Sequence, residues 1–166
     1  MNARECLYFA YGSNLSSLRL KARLPHVRLV GSAILYGYRL TFDMLSTDGS
    51  AKCNIVQGAH EDIVYGAVYA LTQSEISRLD AIEGARYARV QLDVAMHSAN
   101  TAAVYCYVAN TFVSNELPFE WYTNHVLVGA QEHGFPEFYI ENIRAQKSTK
   151  DVDKSKHASE LDIYNR

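Results

Sequence analysis

The chain has 166 residues, 48% of them apolar, and 16 Lys plus Arg against 18 Asp plus Glu give a net charge of −2. That length suits one core rather than two, and the composition excludes a collagen-like, coiled-coil or largely disordered chain. Without a strong charge of either sign there is no field to hold nucleic acid or an acidic membrane surface, so the expected partner is a small molecule.

Three cysteines, Cys6, Cys53 and Cys106, form no CxxC pair and read as reduced core or strand residues. No apolar stretch approaches the roughly 20 residues of a membrane span. The opening MNARECLYFAYG lacks the apolar core of a secretory signal, and the expected compartment is the cytoplasm.

Cys6 to Tyr11 (CLYFAY) is an almost continuous apolar run that stops at Gly12, the pattern of a buried strand ending in a tight turn. Ser13, Asn14 and Ser16 then offer side-chain oxygens to the free N–H groups of a helix start, and the helix-forming stretch Ser17 to Leu24 runs up to Pro25. From Val27 to Met44, apolar residues interspersed with Gly31 and Gly37 predict strands that bend at glycine, as a barrel-like sheet requires. Leu45 to Lys52 reads as a loop, and Asn54 to Gln57 as a brief strand before a second loop at Gly58 to Asp62.

Ile63 to Leu71 is strongly β in composition and leads into Thr72, Gln73, Ser74 and Glu75, a T-x-x-E capping box that starts a helix. Ile76, Leu79, Ala81 and Ile82 are expected to form its apolar face, with Gly84 just past its end. Tyr87 to His97 and Ala102 to Val108 predict a hairpin about HSANT. Pro118 is expected to open a helix carrying Trp121, Tyr122, His125, Val126, Val128, Gly129 and His133 at helical spacing, and Pro136 to open another ending near Gln146. Lys147 to Arg166 is densely charged with few apolar anchors and is expected to be a mobile or weakly docked tail. The reading is one domain of mixed α and β elements over residues 1–146, followed by that tail.

Chemistry has few places to sit. A strand that ends in Tyr11 and Gly12 and passes through Ser13, Asn14 and Leu15 into a helix aims successive backbone N–H groups at one concavity, which suits a carboxylate, phosphate or oxyanion. The same turn also serves simply to cap the helix, and it lacks the spacing of ATP- or dinucleotide-binding loops. Glu83 falls beside a helix C-terminus, where the dipole opposes ionisation. If the sheet also buries it, its pKa rises toward the range useful to a general base, whereas a solvent-facing Glu83 is an ordinary surface carboxylate. Asp80 and Glu75 read as surface and cap residues. Most of the 12 tyrosines read as strand or core rings, with one or two available to line a polar pocket. The six histidines show no metal-ligand spacing and no metal is expected. No serine elbow or activated cysteine is evident.

Four segments occur in order: LYFAYGSNL (Leu7 to Leu15), LDAIEGARY (Leu79 to Tyr87), YCYVAN (Tyr105 to Asn110), and P-x-x-x-Y with VGAQEHGFPEFY (Pro118, Tyr122 and Val128 to Tyr139). Together they resemble the γ-glutamylcyclotransferase, or AIG2-like, family over about Leu7 to Ile143. The resemblance implies an α+β fold, a mixed β-barrel with surrounding helices, and a reaction in which a γ-glutamyl amide cyclises to 5-oxoproline and releases the attached amino acid or amine. It implies Glu83 as the catalytic acid/base, the loop Tyr11, Gly12, Ser13, Asn14 and Leu15 as the holder of the glutamyl part, and Tyr107 and Tyr122 as pocket residues.

Such chemistry needs no cofactor, because the substrate's α-amine is its own nucleophile and one carboxylate accepts and then returns the proton. YGSN in place of the YGSL of the glutathione-specific branch points to γ-glutamyl amino acids or amines rather than intact glutathione. Two alternatives accompany this reading: a γ-glutamylamine cyclotransferase or pathway deprotecting enzyme of the same fold, and a non-catalytic module that binds a small carboxylated ligand. The oligomeric state is not legible in the sequence, a homodimer being one option.

Overall fold

The computed structural model describes residues 5–166. Strand β1 (Cys6–Ala10) passes through Gly12 into a single 3-10 turn (Ser13–Leu15) and helix α1 (Ser17–Arg23), whose N-cap Ser16 accepts from the Arg19 amide at 3.3 Å. Strands β2 (Arg28–Tyr36) and β3 (Tyr38–Leu45) meet at Gly37, whose φ of +77° is a conformation that side chains resist. Strands β4 (Ala51–Gln57) and β5 (Ile63–Leu71) precede helix α2 (Gln73–Glu83), which starts at the expected capping box on Thr72 and Glu75. The hairpin of β6 (Tyr87–Met96) and β7 (Thr101–Ala109) follows, then helices α3 (Glu120–Glu132), α4 (Glu137–Arg144) and α5 (Lys154–Asp162).

Five strands close into a mixed barrel in the order β1–β5–β2–β6–β7, and β3 with β4 forms a separate two-stranded sheet. The expected α+β barrel with surrounding helices is therefore what the chain adopts. All barrel pairings are antiparallel except that of β1 with β7, which are parallel where Tyr8 meets Tyr105. Phe9, Val64, Val68, Leu71, Val104 and Cys106 are buried in the core, each large apolar side chain contributing about 1.5–3 kcal/mol on removal from water. The parallel seam sets the end of β1 beside β7, so the rings of Tyr8 and Tyr107 meet edge-on with centroids 5.8 Å apart.

Several expectations are corrected. Strand β4 begins at Ala51 rather than Asn54, and its first residues pair with β3 and are buried. The turn-rich composition of Leu45 to Lys52 made this stretch read as loop, yet the Lys52 ammonium lies 4.8 Å from the Trp121 ring centroid and 3.0 Å from Asp48, so aromatic faces and a carboxylate replace its water. On α2 the inward stripe is Ile76, Leu79 and then Glu83, while Ala81 and Ile82 are exposed. The helical period explains this, since Glu83 lies seven residues from Ile76 and Ile82 only six, which turns Ile82 off the stripe.

Helix α3 starts at Glu120 with Phe119 as its N-cap, so Pro118 precedes the helix; Pro136 is the N-cap of α4, and Val128 is only half-buried. Residues 147–166, expected as a mobile or weakly docked tail, carry α5, none of whose residues is buried, and dock through polar contacts. Trp121 Nε1 donates to Asp151 at 2.8 Å, Arg19 pairs with Glu160, and Tyr164 Oη lies 2.9 Å from Ser16 Oγ.

Candidate active site

The site forms where β1 ends, because three other elements converge on the turn that follows it. Gly12 packs so closely on β4 that a Cβ there would sit 2.9 Å from Cys53 Cβ and 3.3 Å from Tyr122 Oη. Behind the turn, Gly129 of α3 admits the Leu15 backbone, since a Cβ at that position would lie 2.4 Å from the Leu15 carbonyl carbon. Two more residues of the VGAQEHGF segment grip the same turn. Glu132 Oε2 accepts from the Ser17 amide at 3.1 Å, and His133 Nε2 donates to the Leu15 carbonyl at 2.8 Å, which sets the proton on that nitrogen.

The turn and the barrel mouth enclose a narrow cavity of about 30 Å³ lined by Tyr8, Tyr11, Gly12, Ser13, Asn14, Glu83 and Tyr107, with Cys53, Tyr87 and Tyr122 completing the wall. Glu83 enters from the last turn of α2. Asn14 Nδ2 donates to its Oε1 at 3.0 Å, and Arg23 Nη1 lies 3.8 Å from the same oxygen. Burial raises the Glu83 pKa, outweighing the opposing pull of Arg23, Arg19 and the Asn14 hydrogen bond. A carboxylate so placed is a proton acceptor of more than ordinary carboxylate basicity, next to donors that keep it oriented.

The tyrosines supply neutral hydroxyls. Burial pushes the pKa values of Tyr8, Tyr11, Tyr87 and Tyr122 well up, so they stay protonated at neutral pH. Tyr11 donates to the Tyr107 carbonyl and Tyr87 to the Cys53 carbonyl, while Tyr107 donates to Asp80 Oδ1 at 2.7 Å. Tyr122 Oη accepts from the Cys53 amide at 2.9 Å. Tyr8 Oη accepts from Asn14 Nδ2 at 3.1 Å, which leaves its proton available to a ligand. Cys53 itself is no nucleophile, its thiol pushed up to about 12 by burial.

Of the residues singled out in the sequence, the structure brings Glu83, Tyr11, Gly12, Ser13, Asn14, Tyr107 and Tyr122 to this one cavity. Leu15 is fully buried and points into the core; its amide is consumed by the Gly12 carbonyl at 3.0 Å, so it braces the loop rather than lining the cavity. The amides of Ser13 and Asn14 have no acceptor among the described residues. Sequence reasoning missed Tyr8, Tyr87, Cys53 and Arg23; Asp80, read as a surface residue, is 40% exposed at its side chain and holds both Tyr107 and Arg89. Tyr8, within LYFAYGSNL, was legible as an inward strand position; the others depend on long-range packing.

A larger groove of about 670 Å³, lined by Val30, Tyr65, Met96, His97, His133 and Phe135 among others, contains no carboxylate. Among the described residues no group of three or more His, Cys, Asp and Glu side chains is arranged to hold a metal. No helix among them is long and apolar enough to cross a membrane.

Residues 63–143 match the AIG2-like family. The chain is 29% identical to γ-glutamylcyclotransferase of Mus musculus over 147 residues and 28% identical to that of Homo sapiens over 152, in each case covering 84% of this chain and 77% of the relative. A solved structure of a γ-glutamyl cyclotransferase superposes with a TM-score of 0.87 at 26% identity, covering 98% of this chain and all of that one. The closed mixed barrel, with the YGSN turn facing a carboxylate on α2, thus defines a γ-glutamylcyclotransferase-like α+β fold. The resemblance to the γ-glutamylcyclotransferase family holds in sequence across most of the chain and in structure across nearly all of it.

Proposed function

We propose that the protein is a γ-glutamylcyclotransferase that converts a γ-glutamyl amino acid to 5-oxoproline and the free amino acid. The observation that carries this reading is Glu83, a largely buried carboxylate of raised pKa held by Asn14 at the wall of a tyrosine-lined cavity. Its likeness to relatives of that name supports it.

In this mechanism the glutamyl half occupies the tyrosine-lined inner cavity. Glu83 takes a proton from the substrate's α-ammonium, and the freed amine attacks the γ-carbonyl carbon, closing a five-membered ring. Folding the chain into a near-attack shape supplies much of the acceleration. Negative charge developing on the γ-oxygen meets neutral donors, either the amides of Ser13 and Asn14 or the Tyr8 hydroxyl, and one such donor is typically worth about 3 kcal/mol. Glu83 then returns its proton to the leaving nitrogen as the amide bond breaks, and the second proton shed by the ring nitrogen passes to the released amine, which departs as its ammonium. No water enters and no cofactor takes part, so the two products together have the composition of the substrate.

The partner is therefore a small γ-glutamyl compound, with no role for nucleic acid or membrane, and the compartment proposed is the cytoplasm. The assay is incubation with γ-glutamyl-alanine, following 5-oxoproline, glutamate and alanine by mass spectrometry. Equal amounts of 5-oxoproline and alanine support cyclisation. Glutamate with alanine indicates hydrolysis instead, and no product at all favours a non-catalytic binding module.

A further inference from the structure

A second cavity of about 170 Å³ opens from the first, sharing Ser13, Glu83, Tyr87 and Tyr122 with it. The character of the two differs. The inner one contains no cationic side chain, whereas Arg19, Arg23, Lys52 and Arg86 all line the outer one against a single lining carboxylate, Glu83. Asp48 neutralises Lys52 at 3.0 Å, and Glu160 pairs with Arg19. Arg86 has no carboxylate within ion-pair distance among the described residues; its Nη1 donates only to the carbonyls of Leu45 and Ser46, at 2.8 and 3.0 Å. Arg23 donates to Asn14 Oδ1 at 3.1 Å and approaches Glu83 no closer than 3.8 Å.

Arg19, which lines the same cavity, adds a second observation. It is 6% exposed, and its Nε is buried without any acceptor. A buried donor left unpaired is costly, and of the four cations Arg86 and Arg23, both half-buried, are the ones without a carboxylate at close ion-pair distance.

We propose that the outer cavity is the leaving-group subsite and that Arg86, assisted by Arg23, takes the α-carboxylate of the departing amino acid. The inference rests on the cyclotransferase reading and deepens it. Glu83 lies at the junction of the two cavities, so a γ-amide held against it has its glutamyl half in the tyrosine-lined end and its other half in the basic end. A guanidinium fork suits a carboxylate there, and an amine leaving group brings nothing to meet it. The enzyme is on this account selective for γ-glutamyl α-amino acids over γ-glutamyl amines, and Arg86 is a specificity residue rather than part of the proton-transfer machinery.

The full chain is assayed with γ-glutamyl-alanine and with γ-glutamyl-ethylamide, which has the same glutamyl half and carbon skeleton but lacks the leaving-group carboxylate. The wild-type protein is expected to favour the alanine compound in kcat/KM. Arg86→Met is expected to lower kcat/KM for γ-glutamyl-alanine about ten-fold or more, chiefly through KM, and to lower it several-fold less for the ethylamide. Arg86→Lys, which keeps the charge but not the fork, is expected to restore part of the preference and serves as the test if Arg86→Met does not fold. Equal losses on both substrates, or no wild-type preference for the carboxylate, overturn the inference while leaving the cyclotransferase reading standing. Failure of the wild-type protein to turn over either compound overturns both.

Discussion

Asn14 Nδ2 donates to Glu83 Oε1 at 3.0 Å and so ties the turn after β1 to the last residue of α2. The same amide group lies 3.1 Å from Tyr8 Oη, and its oxygen accepts from Arg23 Nη1 at 3.1 Å, so one short side chain orients a carboxylate, a phenol and a guanidinium together. The hydrogen bond also favours the ionised carboxylate, opposing the burial that raises the Glu83 pKa.

Replacing Asn14 therefore affects pH dependence as well as rate. Asn14→Ala should move the acid limb of the kcat/KM profile to higher pH and lower the plateau roughly ten- to hundred-fold. Asn14→Asp should move the limb further, because a second carboxylate beside Glu83 disfavours ionisation. Profiles recorded on γ-glutamyl-alanine check this, and a limb that stays in place in both variants would show that Asn14 does not act on Glu83.

Glu83 should also leave a signature in stability. Its folded pKa lies above the ordinary 4.5, so its contribution is fully present below that value and is lost as pH rises through the folded value. Glu83→Gln is expected to melt at a higher temperature than the wild type at neutral pH, with the gap closing as pH falls below the ordinary value. Thermal melts across that range read the difference directly, and a lower Tm for the variant at neutral pH contradicts the assigned burial.

At Gly129 the expected defect is steric. An added methyl would lie 2.3 Å from Leu15 Cβ and 2.5 Å from the Ser16 amide nitrogen, so Gly129→Ala must push the 3-10 turn off α3. Overpacking of this kind typically costs about 1–3 kcal/mol. Urea unfolding should show that loss together with reduced turnover, whereas a fully active and stable variant would mean the turn has slack that the packing does not suggest.

The segment after Lys147 should matter to stability. Glu160 is held down to about 2, the hydrogen bond from His125 and the charge of Arg19 outweighing desolvation, and burial lowers the pKa of His125 so that it stays neutral at neutral pH. The Glu160 contribution is present above the ordinary carboxylate range and is lost as pH falls through about 2. Glu160→Ala strands the buried Arg19 and should destabilise the fold by roughly 3 kcal/mol. Denaturant titration checks the value, and an unchanged midpoint would mean that α5 is an independent appendage.

Much of the site was legible because its parts lie in local patterns: a strand stopped by Gly12, a capping box on Thr72, a glycine closing α2. Gly84, with φ of +75°, ends the helix where its sequence position suggests, and this puts Glu83 in the last turn. What escaped was carried by contacts distant in sequence. Lys52 reads as a loop residue until the three rings of Phe119, Trp121 and Tyr122 close over it. The charged tail docks through Asp151, Glu160 and Tyr164, all polar, so hydrophobic counting passes over it. Leu15 belongs to the recognised YGSNL motif yet faces the core, because the turn that presents Ser13 and Asn14 to the cavity needs an anchor on its other side.

The central claim is that Glu83 moves the proton in both halves of the ring closure. Its most direct test compares wild type and Glu83→Gln on γ-glutamyl-alanine, measuring 5-oxoproline formation alongside substrate affinity. The account predicts that the variant binds the substrate with little change and forms no 5-oxoproline above the uncatalysed rate. Cyclisation by Glu83→Gln at a rate near that of the wild type would contradict it.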